Sequence, residues 1–159
     1  MAAAIAYGVA HDQVTARVCV EYFTIGHPPL IPSESPTLLA LAWGVVATWW
    51  VGLPLGILLA IAARTGRSPA FTVSQVRGSV LRLLLVMAAC ALCAGVAGYL
   101  FAGAGLIALP DDLAERVPRE AHYRFLADLW AHSASYAVGA IGGLVVVYRT
   151  FRRRAEGSV

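Results

Sequence analysis

Residues 83–109 read LLLVMAACALCAGVAGYLFAGAGLIAL, with no charged side chain anywhere in the stretch. A helix needs about 20 apolar residues to cross the ~30 Å hydrocarbon core of a bilayer. The stretch exceeds that length and lacks the polar–apolar alternation of a membrane β-strand, so it reads as a transmembrane helix. Working outward, Thr37–Ala63 is equally free of charge. Leu129–Tyr148 carries His132 as its only ionisable side chain apart from tyrosine.

Composition agrees with this reading. The 159 residues are 59% hydrophobic and 13% charged, with a mean hydropathy of +0.72. A soluble domain carries roughly 25% charged residues, and a chain this short cannot hide so much apolar surface from water. Disorder, a collagen-like fibre and an ordinary cytosolic domain are excluded. The expectation is an all-α integral membrane bundle with four transmembrane helices: three from the apolar runs and a polar one at the N-terminus. The chain reads as one helical domain, 1–159, with spans near 3–25, 37–63, 83–109 and 129–148.

All twelve basic residues are arginine, and most flank the apolar runs. Arg64, Arg67, Arg77 and Arg82 fall between the second and third spans, and Arg149, Arg152, Arg153 and Arg154 follow the fourth. The segment 110–128 carries five acids, Asp111, Asp112, Glu115, Glu120 and Asp128, against three arginines. Basic loops stay cytoplasmic. This predicts a membrane protein with both termini in the cytoplasm. It also makes the basic excess a matter of orientation, with no nucleic-acid partner. The expected partners are the lipid bilayer and a membrane protein or a second copy of the chain. Three cysteines, Cys19, Cys90 and Cys93, are odd in number and apolar in setting, so no disulfide framework is expected.

The N-terminal segment is the hard one. Ten apolar residues rise only ~15 Å, so a spanning helix must continue through Asp12, Arg17 and Glu21 to about Ile25. Asp and Arg each cost about 2.5–3.5 kcal/mol at the centre of a lone inserted helix. Such a helix needs protein neighbours; the alternative is a short anchor followed by an interfacial stretch. On a continuous helix His11, Thr15, Val18 and Tyr22 share one face, with Tyr7 at its margin. Arg17 and Glu21 form an i,i+4 pair on another face. Pro28, Pro29, Pro32 and Pro36 then make a stiff connector. Small residues four apart, such as Gly139 and Gly143, suit close helix packing, and Pro54 predicts a bend in its helix.

Intramembrane ionisable groups are functional candidates. The candidate polar cluster comprises His11, Asp12, Arg17 and Glu21 from the first helix, His27 from the connector, and Asp128 and His132 from the last. Counting ~1.5 Å per residue puts His132 about 24 Å above the basic end of its helix. Glu21 reaches the same height if the first helix is continuous, with His27 and Asp128 nearby. Two carboxylates and two imidazoles suit zinc, iron or manganese. No ligand spacing matches a metal motif, so a hydrogen-bonded cluster is the expectation, with no metal ligands assigned and the cofactor left open. Cys90 and Cys93 form a CxxC inside an apolar helix, where nothing stabilises a thiolate.

The block YGVAHDQVTARVCVEYFTIGHPP, followed by PTLLALAWGVVATWWVGLPLG and FLADLWAHSASY, resembles an uncharacterised family of small bacterial integral membrane proteins. The resemblance spans most of the chain and implies a membrane class without a reaction. The functional expectation is a non-enzymatic accessory or scaffold subunit. The alternatives are a proton- or ion-handling channel or transporter, and a metal- or haem-dependent membrane enzyme.

Overall fold

The computed structural model describes residues 1–66 and 69–156; Arg67 of the basic loop lies outside the described residues. All regular structure among them is helical: α1 (Ala2–Val18), α2 (Glu21–Thr24), α3 (Pro36–Val46), α4 (Trp49–Ala62), α5 (Val73–Gly103), α6 (Asp111–Arg116) and α7 (His122–Glu156). One turn of 3₁₀ helix at Arg119–Ala121 leads into α7. Three segments are long and apolar enough to cross a membrane: Pro36–Ala62, which joins α3 to α4, Val73–Gly103, and Arg119–Glu156. α1 is the plausible fourth.

α5 begins where Thr72 and Gln75 form a reciprocal capping box, satisfying donors the helix cannot bond internally. It stops at a turn in which Gly105 takes φ +72°, a conformation glycine adopts without a Cβ clash. α5 lies along α7, and Gly98 makes the approach close: a Cβ there would stand 2.9 Å from the Leu126 carbonyl. The outward faces of both helices are apolar and open, with Leu85, Leu92 and Ile141 each about two-thirds exposed. Lipid is the natural solvent for them.

The first span departs from the continuous helix expected over 3–25. α1 ends at Val18 because Cys19 turns to extended backbone, φ −151° and ψ 97°. Its 17 residues rise ~25 Å, less than the full hydrocarbon core. The break swings Cys19, Tyr22 and Phe23 into a buried core with Leu39, Ala40 and Phe125 at the acidic end of the bundle. It also separates Arg17 from Glu21, so the i,i+4 pair does not form. Arg17 donates instead to the Gln13 carbonyl (2.6 Å), the Gln13 side chain (2.7 Å) and the Thr37 hydroxyl (2.9 Å).

α1 packs on the second span with almost no space between backbones. A Cβ on Gly44 would stand 2.5 Å from both the nitrogen and the Cα of Val9. Nearby, the helix is interrupted at Ala47–Thr48, where the Thr48 hydroxyl donates to the Gly44 carbonyl at 2.5 Å. The interruption sits at this contact with α1, whereas Pro54 lies inside α4. At the basic end, Arg154 of α7 is buried. Its guanidinium donates to the carbonyls of Thr65 (3.1 Å), Arg64 (3.3 Å) and Pro69, tying α7 to the turn after α4.

Candidate functional site

Three helical segments meet at one buried point. α1 supplies His11 and Asp12, α7 supplies His132, and α2 lays the Tyr22 ring over His132 at 4.5 Å between centroids. Asp12 is 4% exposed and His132 8%, so water does little to solvate either. Their side chains touch: His132 Nε2 lies 3.2 Å from Asp12 Oδ1. The His11 ring meets His132 edge-on at 4.6 Å.

The other nitrogen of His132 decides what that contact means. Nδ1 lies 2.9 Å from the Asp128 backbone carbonyl, one helical turn earlier. A carbonyl oxygen only accepts, so Nδ1 carries the proton and donates it. In a neutral ring Nε2 is then a bare lone pair, and it faces a carboxylate oxygen, which is also an acceptor. Two acceptors do not sit 3.2 Å apart in a dry site unless a positive species lies between them. That species is a proton shared by the pair or a metal cation.

His11 adds a third candidate ligand. Its Nε2 is buried and has no hydrogen-bond partner among the described residues, and an orphaned nitrogen of this kind costs about 1–3 kcal/mol. A metal ion would satisfy it, as would a water in an adjoining polar space. One ligand atom from each of His11, Asp12 and His132 lies within 4.8 Å of the others, the one such grouping among the described residues. First-row metals bind imidazole nitrogen and carboxylate oxygen at about 2.0–2.2 Å, which sets ligand atoms roughly 3–4 Å apart.

The surrounding groups hold the cluster in place. Tyr7 stacks on His11 at 5.8 Å, and its hydroxyl pairs with Ser135 of α7 at 2.8 Å. Asp128 Oδ2 is buried without a hydrogen-bond partner next to the carbonyl that orients His132. Tyr136 donates to the Ala47 carbonyl at the interruption between α3 and α4, at 3.4 Å.

The seven expected residues therefore separate into three groups. His11, Asp12 and His132 come together, and Asp128 lies beside them. Glu21 instead accepts from the Cys19 thiol at 3.3 Å, and His27 bonds the Tyr22 carbonyl at 2.8 Å with its ring against Trp43. Arg17 stays at the exposed edge. The expected outer site of Glu21, His27, Asp128 and His132 is not assembled as such, because the break at Cys19 redirects both Glu21 and His27. Tyr7 lies at the margin of the His11 face, but no spacing rule joins it to Ser135, 128 positions away.

Beneath the cluster, towards the basic end, lies a cavity of about 170 Å³ bounded by α1, α4, α5 and α7. His11, Asp12, His132, Tyr7 and Ser135 line its polar end, and aliphatic side chains line the rest. Comparison of the chain with protein-family profiles, with curated proteins and with solved structures finds no match.

Proposed function

We propose that this protein is an intramembrane metal-binding protein, with a divalent first-row ion held by His11 Nε2, Asp12 Oδ1 and His132 Nε2. The observation that carries the reading is the 3.2 Å contact of His132 Nε2 with Asp12 Oδ1 beside a buried, partnerless imidazole nitrogen. Two imidazoles and one carboxylate suit zinc, or iron(II) as a facial triad. Three protein ligands leave coordination positions open, the pattern of a catalytic site rather than a closed structural one. All three ligand residues line the cavity. The His132–Asp128 carbonyl bond is the outer-sphere contact that fixes the ligating tautomer.

The shared-proton alternative supports proton handling, and an accessory or scaffold role needs neither ion. Elemental analysis of protein purified in mild detergent, followed by titration with cobalt(II), separates these readings. The expected result is about one metal per chain in the wild type and a tenfold or greater loss of affinity in His11→Ala and His132→Ala, the range lost on altering metal-site groups. Metal should be released as pH falls, because both imidazoles must be unprotonated to ligate. Metal-free protein that shows no cobalt absorption band on titration overturns the reading in favour of a shared proton.

For orientation, we infer a bacterial inner membrane with the basic end in the cytoplasm. Support comes from eight arginines in the loop 64–82 and the segment 149–154 against three in 110–128.

A further inference from the structure

We propose that the cavity beneath the polar cluster takes an uncharged, single-ring, oxygen-bearing lipid of the quinone or phenol class, entering sideways from the bilayer between α4 and α7. The inference concerns a different ligand from the metal and does not require the metal to be present.

Size is the first argument. An engineered cavity of about 150 Å³, lined by Leu, Ile and Phe, stays dry and binds benzene. The present cavity, at about 170 Å³, matches a six-membered ring with its substituents. Its walls are aliphatic, including Leu55, Leu83, Leu84 and Met87. At one end the Tyr7–Ser135 hydroxyl pair, which uses one of its two protons internally, has the other to donate to a ring oxygen. A mostly apolar pocket with a few convergent polar groups is the usual form of a small-molecule site.

Charge is the second argument. No Lys or Arg lines the cavity, and Asp12 does. Without the metal, a carboxylate or phosphate head at the Tyr7–Ser135 end meets the Asp12 carboxylate with no guanidinium or lysine ammonium beside it. An uncharged oxygenated head has only hydrogen bonds to satisfy.

Access is the third. A second depression lies between α4 and α7, lined by Trp50, Pro54, Leu58 and Leu144. Val51, Leu55 and Tyr136 line both spaces, so they form a thin common wall. Trp50 and Leu144 are more than half exposed on the apolar outer surface, where lipid lies. A chain attached to the ring can stay in this groove while the ring sits inside.

The test uses the full chain in phosphatidylcholine nanodiscs and a photoreactive benzoquinone carrying a decyl chain. Saturable labelling of α5 and α7 peptides that face the cavity is expected, competed by unlabelled decyl-benzoquinone and not by decanoate or decane. Leu84→Trp, which fills the cavity, should weaken competition by at least ~10-fold, and Tyr7→Phe by ~5-fold for one lost hydrogen bond. Val80→Phe fills the same wall one turn away and serves if Leu84→Trp fails to fold. Wild-type protein stripped of metal by a chelator should retain saturable labelling, so failure of the metal reading leaves this result standing. Unsaturable labelling that is equal in the filled variants overturns the site, and equal competition by decanoate overturns the uncharged-ring class.

Discussion

α5 and α1 solve the same problem in opposite ways. α5 has 31 residues and buries only Ala91, Gly98 and Ala102; most of its surface is aliphatic and suited to lipid. Partition into the bilayer specifies it with little help from protein. α1 has 17 residues and buries Gly8, Asp12, Thr15 and Ala16 against neighbouring helices. Lipid alone does not hold it, so its position is set by contacts with α3, α4 and α7. The difference places the chemistry. Asp12, a buried carboxylate, falls on the helix that depends on its neighbours, whereas α5 buries no ionisable group, because only protein can compensate one.

The contrast is sharpest at two glycines. Gly44→Ala pushes a Cβ into the Val9 backbone, which cannot rotate away. A loss of about 3 kcal/mol is expected, at the upper end for overpacking. Gly78 of α5 has nothing within 4 Å of its virtual Cβ. Gly78→Ala should be neutral or gain up to ~1 kcal/mol from helix propensity. Unfolding in detergent, followed by circular dichroism, measures both; equal effects at the two sites would break the distinction between the helices.

Next in size is the coupling of Asp12 with His132. Removing either partner leaves a buried polar group without its counterpart, whereas removing both avoids that penalty. The double variant should be more stable than addition of the two singles suggests, by about 2 kcal/mol. Additive losses in the same unfolding assay would mean that the pair is solvated and that α1 resembles α5 more than the structure indicates.

The smallest effect is expected at Arg17 and Glu21. Arg17 is exposed and bonded to Gln13 and Thr37, while Glu21 faces Cys19. Arg17→Ala should cost less than ~1 kcal/mol and add to Glu21→Ala without coupling, as surface interactions do. A coupling above that size would mean that the helix continues past Cys19 after all.

The apolar runs made three spans legible, since length and hydropathy need no tertiary information. The site was half legible. Asp12, His11 and His132 were singled out as ionisable groups at membrane depth, yet His132 was matched with Glu21 by height. The error lies in where α1 begins. Met1 stands beside Gly56, where a Cβ would be 3.4 Å from the Met1 nitrogen, six residues short of Ala62 at the end of α4. That offset of ~9 Å raises Asp12 to the ~24 Å height of His132. Vertical offset between helices is a property of packing, set here by Gly8, Gly44 and Gly52 at the seam. The break at Cys19 was equally hidden, because the modest helix propensity of Val, Cys, Tyr and Phe in VCVEYF is too weak a signal to place a break. Burial of Tyr22 and Phe23 against Phe125 overrides propensity there.

Arg154 bears on how the chain assembles during synthesis. The carbonyls of Arg64, Thr65 and Pro69 emerge from the ribosome 85 to 90 residues before the guanidinium that bonds them. Until then the turn after α4 has water or lipid headgroups as its only partners at these oxygens, and it stays free to adjust while α5 inserts. The arrival of the last turn of α7 closes it. Arg154 thus acts as a late fastener: it secures a hairpin whose two helices have already crossed, rather than guiding them across.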